Sequence, residues 1–159
     1  MARVLVVYAS ESGNTERMAL AVAEGVEQVE NVEVIMQKIE QASLDDLCSS
    51  DGITIGSPTY YGQISGRLKT VIDKSVKIHG RLEGKVGAAS TSADGTATGA
   101  EITLLAILKT MLVHGMIIQG RSDDMHYGSA AVCTPHKKEI EYCKELGRRV
   151  AHLAPRLQE

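Results

Sequence analysis

The stretch Tyr8-Ala-Ser-Glu-Ser-Gly-Asn-Thr-Glu16 gathers groups suited to binding an anion. Ser10, Ser12 and Thr15 carry hydroxyls, with Glu11 and Asn14 among them. If a helix starts here, the amides of Ser12, Gly13, Asn14 and Thr15 have no partner inside it. Gly13 lets the backbone approach a ligand closely. A phosphate at such a turn gains from free N–H donors and from the positive end of the helix dipole, about 0.3–2 kcal/mol for the dipole alone. No Lys or Arg falls between Arg3 and Arg17, so hydroxyls and amides must hold the anion. The same residues also make an ordinary helix cap, for which Ser and Thr are favoured. The pattern is neither a Walker loop nor the Gly-x-Gly-x-x-Gly dinucleotide fingerprint.

Two further stretches have related chemistry. Ser57-Pro-Thr-Tyr-Tyr-Gly62 offers backbone groups and two adjacent rings, Tyr60 and Tyr61. One ring could lie against a flat heterocycle, worth roughly 0.5–1.5 kcal/mol beyond its burial. The alternative packs both rings under a helix starting near Gln63. Thr91 to Gly99, which includes Ser92, Ala93, Asp94 and Gly95, is rich in Gly and hydroxyls, so its backbone can edge a polar heteroaromatic rim. A ligand with a phosphate, a polyol arm and a flat ring fits all three stretches, and flavin mononucleotide (FMN) has that shape.

These stretches need elements to position them. Arg3-Val-Leu-Val-Val-Tyr8 is a short apolar, β-branched run and reads as a buried strand. Met18, Val22, Val26 and Val29 then mark one face of a helix. Further strands are expected at Asn31–Ile39, Gly52–Gly56 and Lys85–Ala89, and at Met116–Ile118, with 127–132 continuing the last after a loop. Between them come a short helical turn at 43–47 and helices through Leu68 and over 100–113 and 137–153. Five strands alternating with helices imply an α/β domain: a parallel sheet covered on both faces, with right-handed crossovers. The expected order is 2-1-3-4-5 in a doubly wound, three-layer sandwich spanning residues 1–159. Ligands of such sheets bind beyond the carboxyl ends of the strands, where the order reverses. The three polar stretches follow strands 1, 3 and 4 and so belong at that edge.

Composition narrows the function classes. The 159 residues carry a net charge of −3, which argues against a general nucleic-acid binder. Phe and Trp are absent, so stacking falls to five Tyr and five His. No apolar run reaches the roughly 18–20 residues of a membrane span, and the chain enters a strand at once, without a signal peptide. Cys48, Cys133 and Cys143 are odd in number and lack metal-ligand spacing, which points to free packing thiols in a reducing, cytoplasmic setting. Neither a catalytic acid–base pair nor a metal-ligand set stands out. Arg67, Lys69, Lys74, Lys77, Arg81 and Lys85 form a basic run that reads either as a solvated face or as a steering patch for an acidic partner. Helix 100–113 has Ile102, Leu104, Leu105, Ile107, Leu108, Met111, Leu112 and Val113 on most of its circumference, which predicts a homodimer or homotetramer.

Nearly the whole chain resembles the flavodoxin superfamily. Ser-Glu-Ser-Gly-Asn-Thr at 10–15 is similar to the flavodoxin phosphate loop. Gly56-Ser-Pro-Thr-Tyr-Tyr-Gly62 with Ser65-Gly66 and Leu68-Lys69, and the stretch from Thr91 through His114-Gly-Met116, resemble the Trp-repressor-binding-protein type of NAD(P)H:quinone oxidoreductase. The resemblance implies FMN phosphate at Ser10, Glu11, Ser12, Gly13, Asn14 and Thr15. It implies the flavin ring between Pro58, Thr59, Tyr60, Tyr61 and Gly62 on one side and Thr91, Ser92, Ala93, Asp94 and Gly95 on the other. It also brings the residue matching His114 near the flavin, although a dipole-favoured helix-terminal His is an equal reading. The chain departs from both groups. It lacks the segment that those oxidoreductases insert after strand 4, has no aromatic at Ile78-His79 or within 91–99, and is less acidic than typical flavodoxins. The expected function is electron transfer between redox partners by an FMN protein. The alternative is quinone reduction with NAD(P)H, and a third reading is a non-redox scaffold or signalling domain on the same fold.

Overall fold

The structure is a computed structural model that describes residues 1–157. The chain runs β1 (Ala2–Tyr8), α1 (Asn14–Glu27), β2 (Val32–Lys38), α2 (Leu44–Ser49), β3 (Gly52–Pro58), α3 (Gly66–Lys74), β4 (Val86–Ala93), α4 (Ala100–Val113), β5 (Ile117–Ile118), β6 (Ser129–Val132) and α5 (Lys137–Leu153). A 3-10 turn, Ser75–Ile78, follows α3. All strand pairs are parallel, and the order is β2-β1-β3-β4-β5 as the alternation of elements predicts. β6 also pairs with β4, through Ser90–Ala93, whereas β5 pairs with Val86 and Gly87. The fifth strand position is therefore filled in two pieces, with the 119–128 loop between them.

Alternation along β1 sorts the core. Val4, Val6 and Tyr8 join Met18, Val22, Val26, Leu146 and Val150 in a cluster under α1 and α5. Leu5, Val7 and Ala9 join Leu68, Leu104, Ile107 and Met111 under α3 and α4. α1 and α5 cross almost backbone to backbone. A Cβ on Gly25 would stand 2.0 Å from the Lys144 carbonyl oxygen, and one on Gly147 would stand 2.0 Å from that of Val22.

The helix ends have local causes. Ser43 and Asp46 form a capping box at the start of α2. The Ser65 hydroxyl accepts from the Leu68 amide and caps α3. α4 ends in a Schellman turn. Gly115, at φ 75°, donates to the Leu112 carbonyl and Met116 donates to that of Met111. Among the described residues no helix is long and apolar enough to cross a membrane.

β4 departs from the sequence expectation. It continues through Ser90, Thr91, Ser92 and Ala93, which were expected in a loop. All four are buried and pair with β3 or β6, so only Asp94 and Gly95 of the expected site residues there lie in the connection to α4.

Candidate functional site

The first stretch folds as a turn into α1 whose N-cap is Gly13, in the left-handed region at φ 93°, with no side-chain cap. The ordinary Ser or Thr cap is thus not built. Instead the Ser10 hydroxyl accepts from the amides of Gly13 (3.2 Å) and Glu16 (3.4 Å). Among the described residues the Asn14 and Thr15 amides meet no acceptor, and the turn faces solvent at Glu11 and Ser12. Below it, the Tyr8 hydroxyl donates to Glu16 Oε1 at 2.7 Å. Burial, and then the Glu16 carboxylate, raise the Tyr8 pKa to about 12.

Buried hydroxyls join the three stretches. Thr15 Oγ1 and Ser92 Oγ share a 2.8 Å hydrogen bond from α1 to β4. On the other face, Thr91 Oγ1 donates to the Ser57 carbonyl at 2.7 Å. Its one proton is thereby used, so Thr59 Oγ1 is the donor in the 2.8 Å bond between the two threonines. The Thr59 amide donates to the Ser92 carbonyl. The hydroxyls of residues 91 and 92 therefore pin the rim together. Ala93 is a plain buried strand residue whose carbonyl accepts from the Cys133 amide.

After β3, Tyr60 and Gln63 exchange both backbone hydrogen bonds and close a two-residue turn. Its central residues, Tyr61 and Gly62, have φ of 50° and 72°, the signs of a type I′ turn. Neither ring packs under α3. Tyr61 stands wholly in solvent and Tyr60 is exposed. Holding a tyrosine in the left-handed region costs about 1 kcal/mol or more. The turn touches the start of α4, where a Cβ on Gly99 would stand 2.5 Å from Gly62 Cα. Thr59, Tyr60, Tyr61, Asp94 and Thr98 line an open cleft between the second and third stretches. Pro58 ends β3 and is buried beside it.

Residues 10–15, 58–62 and 91–95 thus come to one edge. His114 does not. It sits after the C-terminus of α4, and 14 residues at 1.5 Å each place it about 21 Å along the helix from the rim. It is buried, with Nε2 2.8 Å from Ser75 Oγ. Because Ser75 Oγ donates to the Ile72 carbonyl at 2.6 Å, His114 carries its proton on Nε2. Its Nδ1 is then a bare acceptor, with no partner among the described residues. Burial, with His79 adding a smaller push, lowers the His114 pKa.

Several participants at the rim escaped the sequence reading. Arg67 bridges Glu11 of the first turn and Glu40 after β2, so it tethers the loop rather than joining a free basic face. Lys69 pairs with Asp73, and Lys85 caps the carbonyls of Cys48 and Ser50, which leaves Lys74, Lys77 and Arg81 of that run exposed. Cys133 is exposed at φ 58°, with its thiol 3.4 Å from the Asp94 carbonyl; it is not the packing residue expected. Only Cys143 is fully buried, and burial raises its pKa to about 12.

A family model described as NADPH-dependent FMN reductase matches residues 39–123. A flavodoxin of Aquifex aeolicus is 34% identical over 95% of this chain and 86% of its own length. It belongs to the flavodoxin superfamily. An NAD(P)H dehydrogenase (quinone) of Archaeoglobus fulgidus is also 34% identical, over 99% of this chain and its own full length. The solved structure of a WrbA-like flavodoxin from Agrobacterium tumefaciens superposes with a TM-score of 0.83 at 28% identity, covering 98% of this chain and 99% of that one. The superfamily's cofactor is FMN, and the chain is a flavodoxin-like FMN redox protein. The rim fits that cofactor. It offers uncapped helix amides for a phosphate and an exposed tyrosine on an open cleft.

Proposed function

We propose that this flavodoxin-like protein carries electrons between redox partners. FMN, when bound, supplies the electron transfer itself. The residues of this chain bind and orient it. Asn14 and Thr15 amides with the Ser10 and Ser12 hydroxyls hold the phosphate, and Arg67 keeps Glu11 aside from it. Thr59 to Gly62 and Asp94 to Gly95 line the ring, with Tyr61 free to lie against its outer face. Gly62, with open space where a Cβ would stand, lets the adjacent peptide present either its carbonyl or its N–H to the ring edge.

The observation that carries the carrier reading is length. A flavodoxin of Clostridium saccharobutylicum, 34% identical, aligns over 155 positions that cover 94% of this chain and 96% of its own length, against 190 positions for the full length of the A. fulgidus quinone enzyme. That alignment is longer than the 159 residues of this chain, so at least 31 of its positions have no counterpart here. The second reading, quinone reduction with NAD(P)H, draws support from the open cleft beside Tyr60 and Tyr61. The test is a spectrum followed by turnover. The purified protein should show flavin absorbance or take up added FMN, and should oxidise NADH or NADPH only slowly in the presence of benzoquinone. Rapid turnover would replace the carrier by the enzyme, and colourless protein that refuses FMN would end both readings.

A further inference from the structure

The phosphate turn carries charge of the wrong sign for its ligand. Glu11 lies in it and Glu16 at its end, and Glu40, just after β2, acts with Glu16 on the Tyr8 hydroxyl beneath. The hydroxyls and amides of the turn therefore receive an anion among three carboxylates. Among the described residues one cation is bonded to the turn, and it comes from a distant part of the chain. Arg67 lies 56 residues from Glu11 and 27 from Glu40 in sequence. One arm of its guanidinium meets the Glu11 carboxylate, and the other donates to Glu40 Oε1 at 2.6 Å.

Local structure gives no reason for a cation at this position. Arg67 is the second residue of α3, whose first turn holds no acidic side chain. Its charge thus stands at the positive end of the helix dipole, where a cation is disfavoured. The surrounding backbone is nonetheless fixed. The Ser65 hydroxyl caps α3, and the Ser65 amide donates to the buried Ser57 hydroxyl at 3.0 Å. The Ile39 amide donates to the Tyr8 carbonyl at 2.8 Å and sets the approach of Glu40. One planar guanidinium, suited to two carboxylates at once, therefore spans the exits of β1, β2 and β3. A residue that breaks a local rule and gains a distant partner marks a functional position. Ion pairs this exposed add little to stability, so what Arg67 changes is the charge at the turn.

We propose that Arg67 makes this turn selective for a phosphorylated flavin over an unphosphorylated one, by offsetting the charge of Glu11 and Glu40 where the phosphate sits. Arg67 acts through the two carboxylates it holds and is a positioning residue. The proposal rests on the FMN reading of the turn and adds to it a residue from outside the three polar stretches.

Titration of the full chain, freed of flavin, with FMN and with riboflavin tests this by quenching of flavin fluorescence. The wild type should take up both and hold FMN the more tightly. Arg67→Met should lower FMN affinity about tenfold at low salt and leave riboflavin affinity within about twofold. At about 0.5 M salt the FMN loss should shrink to about threefold, because the groups are partly exposed. Adding Glu11→Gln to Arg67→Met should restore most of the FMN affinity, as removal of the uncompensated charge does. Arg17→Met takes away an exposed cation of α1 that makes no ion pair among the described residues, and should move neither affinity by more than about twofold. Equal losses of both flavins in Arg67→Met would leave Arg67 a mere tether and overturn the proposal. So would no loss, a loss indifferent to salt, failure of Glu11→Gln to rescue, or the same loss in Arg17→Met. A wild type that holds riboflavin as tightly as FMN, or takes neither, would remove the phosphate reading beneath the proposal. That failure is distinct because it shows before any substitution is made.

Discussion

The two helical layers of this molecule are finished differently. α1 and α5 lock against each other through Gly25 and Gly147, and their outer faces are occupied by charges such as Glu24, Lys144 and Arg148. α3 and α4 leave Val76, Ile102, Leu112 and Val113 in solvent, and His114 beneath them with an unpartnered nitrogen. The first layer leaves one large aliphatic side chain of its helices exposed among the described residues, Leu20. The second satisfies the sheet and still has apolar area to spare. An amphipathic helix ends in water; a helix apolar all round asks for a second neighbour.

The largest effect should come from breaking the closed layer. Gly147→Ala places a methyl against the Val22 carbonyl, where only backbone can give way. Glycine to alanine inside a helix normally gains up to about 1 kcal/mol. Here the clash should reverse the sign and cost about 2–3 kcal/mol, visible as a lowered denaturant midpoint. Next in size is Thr15→Val, on the same layer at the rim. It leaves the buried Ser92 hydroxyl without its partner and should cost about 1–3 kcal/mol, with a weaker grip on FMN by titration.

The open layer should respond to pH. His114 is neutral in the folded protein and its pKa lies below the ordinary 6.5. The unfolded chain therefore takes up the proton first, so stability holds above about pH 6.5 and falls as the solution is acidified below it. His114→Leu should flatten that part of the stability curve while Ser75 keeps its bond to Ile72. A slope unchanged by the substitution would show that the proton is taken up elsewhere. The smallest effect is chemical. Alkylation of native protein at pH 8 should label Cys133, and Cys143 only after unfolding, since burial holds its thiol at a pKa of about 12.

Much of this was legible before any coordinates. The strand–turn–helix at residues 3–27, the strand order and the meeting of three polar stretches follow from apolar runs and their punctuation. β4 was not legible beyond Ala89, because Ser90-Thr-Ser92 has the composition of a loop. It is a strand because cross-sheet partners satisfy Thr91 and Ser92. Tyr61 gave no sign of its positive φ, since tyrosine has no preference for that region, and only the following Gly62 marked the turn. The distance of His114 from the rim follows from counting the residues of α4.

The contact between Gly62 and Gly99 has a mechanical consequence. The turn bearing Tyr61 rests directly on the residue that caps α4, with no side chain between them to absorb a shift. Any swing of that turn as a ligand seats must therefore push or release the helix at its head.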